Sequence, residues 1–193
     1  MDGTRLQFES NVKFLGVTLD EFLTWESHCN AVANRMAQNS GILNRIKKII
    51  PNESRKTLYH SLIFPHYSYC LEAWGNCPQR HLKRIKTIQK KAIRATTNSH
   101  WLSHTEPRMK SLNILKLEDQ HHLQCLTTTF NMLKGHSPDI FNLADDRNRN
   151  PDLRPLRSTT NRPENLRLPA YQPNRNTRSF QASTLELWND LPL

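Results

Sequence analysis

Several groups of side chains in this sequence have the chemistry for catalysis or metal binding, and most fail on spacing. Asp145 and Asp146 are adjacent carboxylates, the type that can share a divalent cation in phosphoryl transfer. They lie among Arg, Asn and Pro residues, past the last strong apolar period, and read as a solvated loop pair. Cys70, Cys77 and His81 run as C-x6-C-x3-H, which is not the short Cys-x2-4-Cys knuckle of a zinc site, and His28-Cys29 stands elsewhere. Cys29, Cys70 and Cys125 fall on apolar helical faces and read as reduced core thiols. His121 and His122 are neighbours, so a helix points them to different faces and they form no i, i+4 metal pair. No local signature of a Ser-His-Asp or Cys-His hydrolase occurs.

The remaining group is a run of cations. Between Gln79 and Thr97, Arg80, Lys83, Arg84, Lys86, Lys90, Lys91 and Arg94 supply seven positive charges with no acid among them. Leu82, Ile85, Ile88 or Gln89, and Ala92 or Ile93 give the same segment a helical apolar stripe. A merely solvated helix tends to alternate its signs in i, i+4 pairs, and this one does not. Net charge is +10 and the pI is near 9.8, which favours a polyanionic partner. Nucleic acid ranks first and an anionic membrane surface second. Contact with phosphates by counterion release is independent of sequence and steeply sensitive to salt. Trp25, Trp74 and Trp101 are assigned to core or interface packing.

The elements that position these residues are mostly helical. A chain of 193 residues holds one domain with a sizeable core, but 36% hydrophobic content and a mean hydropathy of -0.71 leave part of it poorly packed. No apolar run approaches the ~20 residues of a membrane span, and no signal peptide opens the chain. The expected compartment is therefore the cytoplasm or nucleus, with reduced thiols and no secretion. Residues 1–10 allow an edge strand near Leu6 and Phe8. Val12, Phe14 and Val17 or Leu19 form a short strand or hairpin interrupted by Gly16 and broken by Asp20 and Glu21. Thr24 is the expected N-cap of a helix from Trp25 to Ile49, with Trp25, Cys29, Val32 and Met36 on one face. Ile42, Leu43, Ile46, Ile49 and Ile50 extend that face, and Gly41 marks a kink or a close helix contact at about 1 kcal/mol relative to alanine.

A second helix starts at Pro51 or Asn52, faces Leu58, Leu62 and Ile63 inward, and stops at Pro65; the aromatic segment 64–75 stops at Gly75. After the basic helix, Ser103 with Glu106 makes a capping box, or Thr105 caps ahead of Pro107, for a short helix to Leu112. A helix over 117–134 carries Leu123, Leu126, Phe130 and Leu133 and ends at Gly135, with a turn over 138–143. Residues 145–178 read as a linker with weak strands at 166–168 and near Tyr171, and a last helix runs through Phe180, Leu185 and Trp188.

Across these elements, spaced motifs recur in a fixed order. K-F-L-G-V-T-L-D (13–20) precedes L-T-W-E-S-H (23–28); Leu62, Ile63, Pro65, Tyr69, Trp74 and Gly75 follow; then Ile88, Gln89, Ala92 and Arg94. Arg178, Ser179, Phe180, Trp188, Asn189, Leu191 and Pro192 close the series, and Ile85 stands where the pattern has leucine. This set resembles the C-terminal part of reverse transcriptases from non-LTR (LINE-type, jockey-like) retrotransposons, from the primer grip through the thumb. The resemblance implies that Lys13, Phe14, Leu15 and Gly16 are primer-grip-like, against the plainer reading of a simple edge strand. It also implies that the metal-binding carboxylates, a Tyr-x-Asp-Asp hairpin with its Mg2+, belong to a palm upstream of Val12.

The expectation is thus a mainly α chain: palm remnant over 1–22, helical thumb-like bundle over 23–143, and an irregular basic C-terminal tail over 144–193 ending in a short helix. It carries no catalytic residue, metal or cofactor of its own. It contacts an RNA or DNA template–primer duplex without sequence preference, has no membrane association, and is simplest as a truncated element copy or partial gene model. A stand-alone basic module that binds nucleic acid or protein without catalysis is the alternative. The sequence leaves the oligomeric state open.

Overall fold

Two residues with positive φ close the first element. Leu15 (φ 44°) and Gly16 (φ 86°) form the two-residue turn between β1 (Asn11–Phe14) and β2 (Val17–Asp20), an antiparallel pair with Phe14 opposite Val17. Positive φ at both turn positions matches the twist of flanking strands, and glycine takes the second at no steric cost. Of the expected strand or hairpin, the hairpin forms, with Leu15 and Gly16 as its turn. A computed structural model describes residues 9–138 and 180–191, with the side chains of 180–183 excepted. The edge strand near Leu6 and Phe8, the turn after Pro138, Asp145-Asp146, and the linker with its strands at 166–168 and Tyr171 lie outside the described residues.

The chain is mainly helical beyond the hairpin. It continues as α1 (Glu26–Ile46), α2 (Asn52–Leu62), α3 (Phe64–Ser68), α4 (Leu71–Trp74), α5 (Gln79–Thr96), α6 (Glu106–Leu112), α7 (Leu117–Leu133) and α8 (Phe180–Asn189). Two compact units divide at Leu117. In the first, α1 and α5 pack along their lengths, and α1 also meets β2, α2 and α3. Their shared core holds Cys29, Val32, Ala33 and Met36 from α1 against Leu82, Ile85, Ile88, Ala92 and Ile93 from α5, with Tyr59, Tyr67, Leu71 and Trp74 between. In the second, Met132 and Leu185 are buried, with Leu133 and Trp188 packed on them.

Several expected details differ. Ile42 is 46% exposed and Ile49 82% exposed, because α1 ends at Ile46 and its buried line runs through Met36, Ser40 and Leu43. Trp25 rather than Thr24 is the N-cap residue of α1, in the left-handed region and without a side-chain cap, while Asp20 accepts the Thr24 and Trp25 backbone N–H groups just before the helix. Thr105 precedes α6, without a side-chain cap, so the Ser103–Glu106 box does not form. The expected apolar stripe of α7 is rotated: His121, Cys125, Thr129 and Met132 are buried, while Leu123 and Phe130 stay about half exposed. The i, i+4 line through His121 and Cys125 was overlooked because it is not uniformly apolar.

Candidate nucleic-acid interface

Helix α5 sorts its residues by spacing. Leu82, Ile85, Ile88, Gln89, Ala92 and Ile93 are buried against the core, as their period requires. Arg80, Lys83, Arg84, Lys90 and Lys91 are exposed, and Lys86 and Arg94 half-buried. These cations fall into two lines. Arg80, Lys83, Arg84, Lys91 and Arg94 line clefts along α1, whereas Lys86 and Lys90 do not. One cleft, over Ala37, holds Arg80, Lys83, Arg84 and Lys91. The other, of about 690 Å³, has Ala37, Ser40, Gly41 and Asn44 on one wall and Ile88, Lys91, Arg94 and Ala95 on the other. Ala37, Ile88 and Lys91 are common to both, so they form one trench. Lys47 adds a cation from the α1 side, and no acid lines the trench among the described residues.

Local bonds hold this charge in place. Arg84 Nη2 donates to Asn34 Oδ1 at 2.7 Å, tying α5 to α1, and Arg94 Nε donates to the Ser103 carbonyl at 2.9 Å. Gly41 was expected at a kink or a close helix contact. A close contact does not explain it, because a Cβ there would meet nothing within 4 Å: Gly41 opens onto the trench. Of the core or interface packing expected for Trp101, the core half does not hold: it is 71% exposed at the trench end, while Trp74 is fully buried and Trp25 half-buried.

The primer-grip-like residues lie elsewhere. Lys13, Phe14, Leu15 and Gly16 sit at the hairpin tip, with Phe14 61% and Leu15 74% exposed. Lys13, Leu15 and Gly16 line a separate cleft of about 370 Å³ with His28, Arg35, His66 and Tyr69. The structure therefore brings five of the seven α5 cations together along α1, leaves Lys86 and Lys90 outside these clefts, and sets the hairpin tip at another cleft. Tyr69 fixes that tip: its hydroxyl donates to the Leu15 carbonyl at 2.7 Å, and Trp74 Nε1 donates to the Tyr69 carbonyl at 3.0 Å. His28 joins hairpin to helix. Its Nδ1 accepts from the Thr18 backbone N–H at 3.3 Å, its ring lies edge-on to Trp25 and Trp74, and burial, with Arg35 nearby, pushes its pKa below the usual range.

Other motif residues support the fold. Gln89 is buried, and its Nε2 donates to the Leu115 carbonyl at 3.0 Å and to the Tyr67 hydroxyl at 3.3 Å. Cys29 and Cys77 meet in the core with their sulfurs 3.6 Å apart, as thiols rather than a disulfide. His121 is buried and His122 exposed, on different faces. No cluster of three or more metal-ligating side chains occurs among the described residues, nor any described helix long and apolar enough to cross a membrane.

Comparison with known proteins gives this geometry a context. The chain is 29% identical over 124 residues to the probable RNA-directed DNA polymerase from transposon BS of Drosophila melanogaster, covering 62% of this chain and 14% of that protein. It is 28% identical over 112 residues to the corresponding X-element polymerase of the same species, covering 56% and 12%. With the polymerase of mobile element jockey it shares 26% identity over 124 residues, covering 62% and 13%. No family model matches the chain, and no solved structure does. The curated relatives are non-LTR retrotransposon polymerases, and this chain spans about one seventh or less of their length.

Proposed function

We propose that this chain is the thumb-like, duplex-contacting region of an RNA-directed DNA polymerase. The observation that carries the reading is the trench between α1 and α5, where Arg80, Lys83, Arg84, Lys91 and Arg94 line one wall with no acid beside them among the described residues. Cations at this spacing follow a phosphate backbone, and they discriminate by charge rather than by base identity. The partner is a template–primer duplex of RNA or DNA. Lys13, Phe14, Leu15 and Gly16 act as a primer-grip-like tip. Their exposed apolar surface, continued by Val12, Phe22 and Leu23, suits packing against a neighbouring sheet or the primer strand. The metal-binding carboxylates and their Mg2+ belong to other regions of such a polymerase, so this chain clamps nucleic acid without carrying the chemistry. A nuclear or cytoplasmic site of action follows from that role.

The test is titration of the purified chain with a blunt RNA–DNA hybrid at several salt concentrations, using two unrelated base sequences. The reading predicts that log K falls linearly with log salt, and by the same slope for both sequences. Affinity indifferent to salt, or confined to one sequence, would sink it and leave a protein-interaction module as the better description.

A further inference from the structure

We propose that the Trp101 end of the trench is a stacking site for one unpaired base of a nucleic-acid strand, whose phosphates lie along Lys91, Arg94 and Lys47. The proposal rests on the duplex reading only for the sign of the charge; the aromatic site is an independent observation.

An indole that is 71% exposed contributes little to packing, and here it is displayed by a held loop. Asn98 takes a left-handed conformation that ends α5. On one side of Trp101, Arg108 Nε donates to Ser99 Oγ, and on the other Arg94 Nε donates to the Ser103 carbonyl at 2.9 Å. The Ser103 N–H closes the turn onto the His100 carbonyl at 3.0 Å. Trp101 is therefore presented between two anchored points. His100 lies beside it, ring centroids 5.8 Å apart, and both line the trench.

The space and chemistry around the indole suit a nucleotide. The cleft of about 690 Å³ falls within the ~300–1,000 Å³ typical of small-molecule sites. Gly41, with nothing near the position of a Cβ, leaves its floor open to a sugar or base. An aromatic platform beside a basic groove is the combination that holds single strands, because every base has a π-face and every nucleotide a phosphate. An acidic peptide would satisfy the charge but gain nothing from the indole face.

The test compares three ligands on the full chain: a blunt hybrid duplex, the same duplex with a four-nucleotide single-stranded overhang, and polyglutamate as a competitor. The proposal predicts that the overhang improves affinity about fivefold or more, the weaker end of base–aromatic stacking. It further predicts that Trp101→Ala abolishes this preference, that Trp101→Phe retains most of it, and that neither substitution, which removes no charge, alters the salt slope. Tryptophan emission should be quenched by the overhang in the wild type and not in Trp101→Phe. Equal affinity for blunt and overhung duplexes in the wild type would overturn the proposal, as would a preference that survives Trp101→Ala. Displacement by polyglutamate as readily as by oligonucleotide would also overturn it. If overhang binding depends on Trp101 while the blunt duplex is not bound, the stacking site stands and the duplex reading falls. If the blunt duplex binds with a steep salt slope and the overhang adds nothing, the duplex reading stands alone.

Discussion

At the scale of single residues, the ends of elements and one glycine carry the sharpest consequences. Asp20 accepts the backbone N–H groups of Thr24 and Trp25, each at 2.8 Å, where the chain enters α1. Burial works against the ionised form, but these bonds outweigh it and hold the carboxyl below its usual range. Asp20→Ala should cost about 1 kcal/mol, the net scale of hydrogen bonds lost at a part-exposed turn, read as a lower urea midpoint with unchanged slope. His28 and His66 give the protein a pH dependence. Burial first, and Arg35 second, push both imidazoles below their ordinary pKa of 6.5. The folded state therefore holds them neutral while the unfolded chain takes up protons near 6.5, so stability is full above that pH and falls as pH drops below it. Urea midpoints at pH 7.5 and 5.5 should show the loss, and His28→Asn, which keeps an acceptor for Thr18, should show less of it. Gly41→Ala should stabilise the fold by about 0.5–1 kcal/mol, since the helix gains propensity and the new Cβ meets nothing. The same variant should weaken nucleic-acid binding, because that Cβ enters the trench floor. Stabilisation without weakened binding would remove Gly41 from the site. Gly41 was conspicuous in the sequence as a helix breaker, but only the open space beside it assigns it to a surface. Residue type alone does not divide core from surface for Trp101, because its exposure follows from a loop held by Arg94 and Arg108, which no local pattern encodes.

At the scale of elements, α5 was the most legible. Its apolar period and its cations were both correctly placed from residue spacing, because a helix converts spacing directly into faces. What spacing alone did not divide was the cationic face itself. Arg80, Lys83, Arg84, Lys91 and Arg94 face the clefts with α1, while Lys86 and Lys90 do not, and this depends on which side α1 occupies. The hairpin was half legible: Gly16 announced an irregularity, but Leu15 with φ 44° did not, since a leucine rarely adopts that region. A strained and 74% exposed leucine at a turn tip breaks two local rules at once, as residues kept for contact often do. Leu15→Asn supplies the Asn-Gly pair that such a turn prefers and should stabilise the hairpin. If Leu15 serves as a grip, the same change should reduce affinity for a primer duplex while the urea midpoint rises. Helix α7 was misread because its buried line mixes His121, Cys125 and Thr129 with Met132, so apolarity alone selected the wrong face.

At the scale of the whole molecule, the net charge of +10 is concentrated usefully in the first unit, where the trench gathers cations from both α1 and α5. Motif residues outside the trench serve the frame: Trp74 and Tyr69 fix the hairpin tip, and Gln89 joins α5 to the segments carrying Tyr67 and Leu115. Most of these motif residues are thus spent on packing, whereas Arg94 and Ile88 also line the trench. The most direct measurement is a pair of salt titrations against a blunt RNA–DNA hybrid, one with Arg80, Lys83, Arg84 and Lys91 all changed to alanine and one with Lys86 and Lys90 changed. Each phosphate contact contributes about 0.9 to the slope of log K against log salt, so the first variant should lose up to ~3–4 of that slope. The second should keep nearly all of it. Equal losses per charge in the two variants, or an unchanged slope in the first, would contradict a trench between α1 and α5 that holds the nucleic-acid backbone.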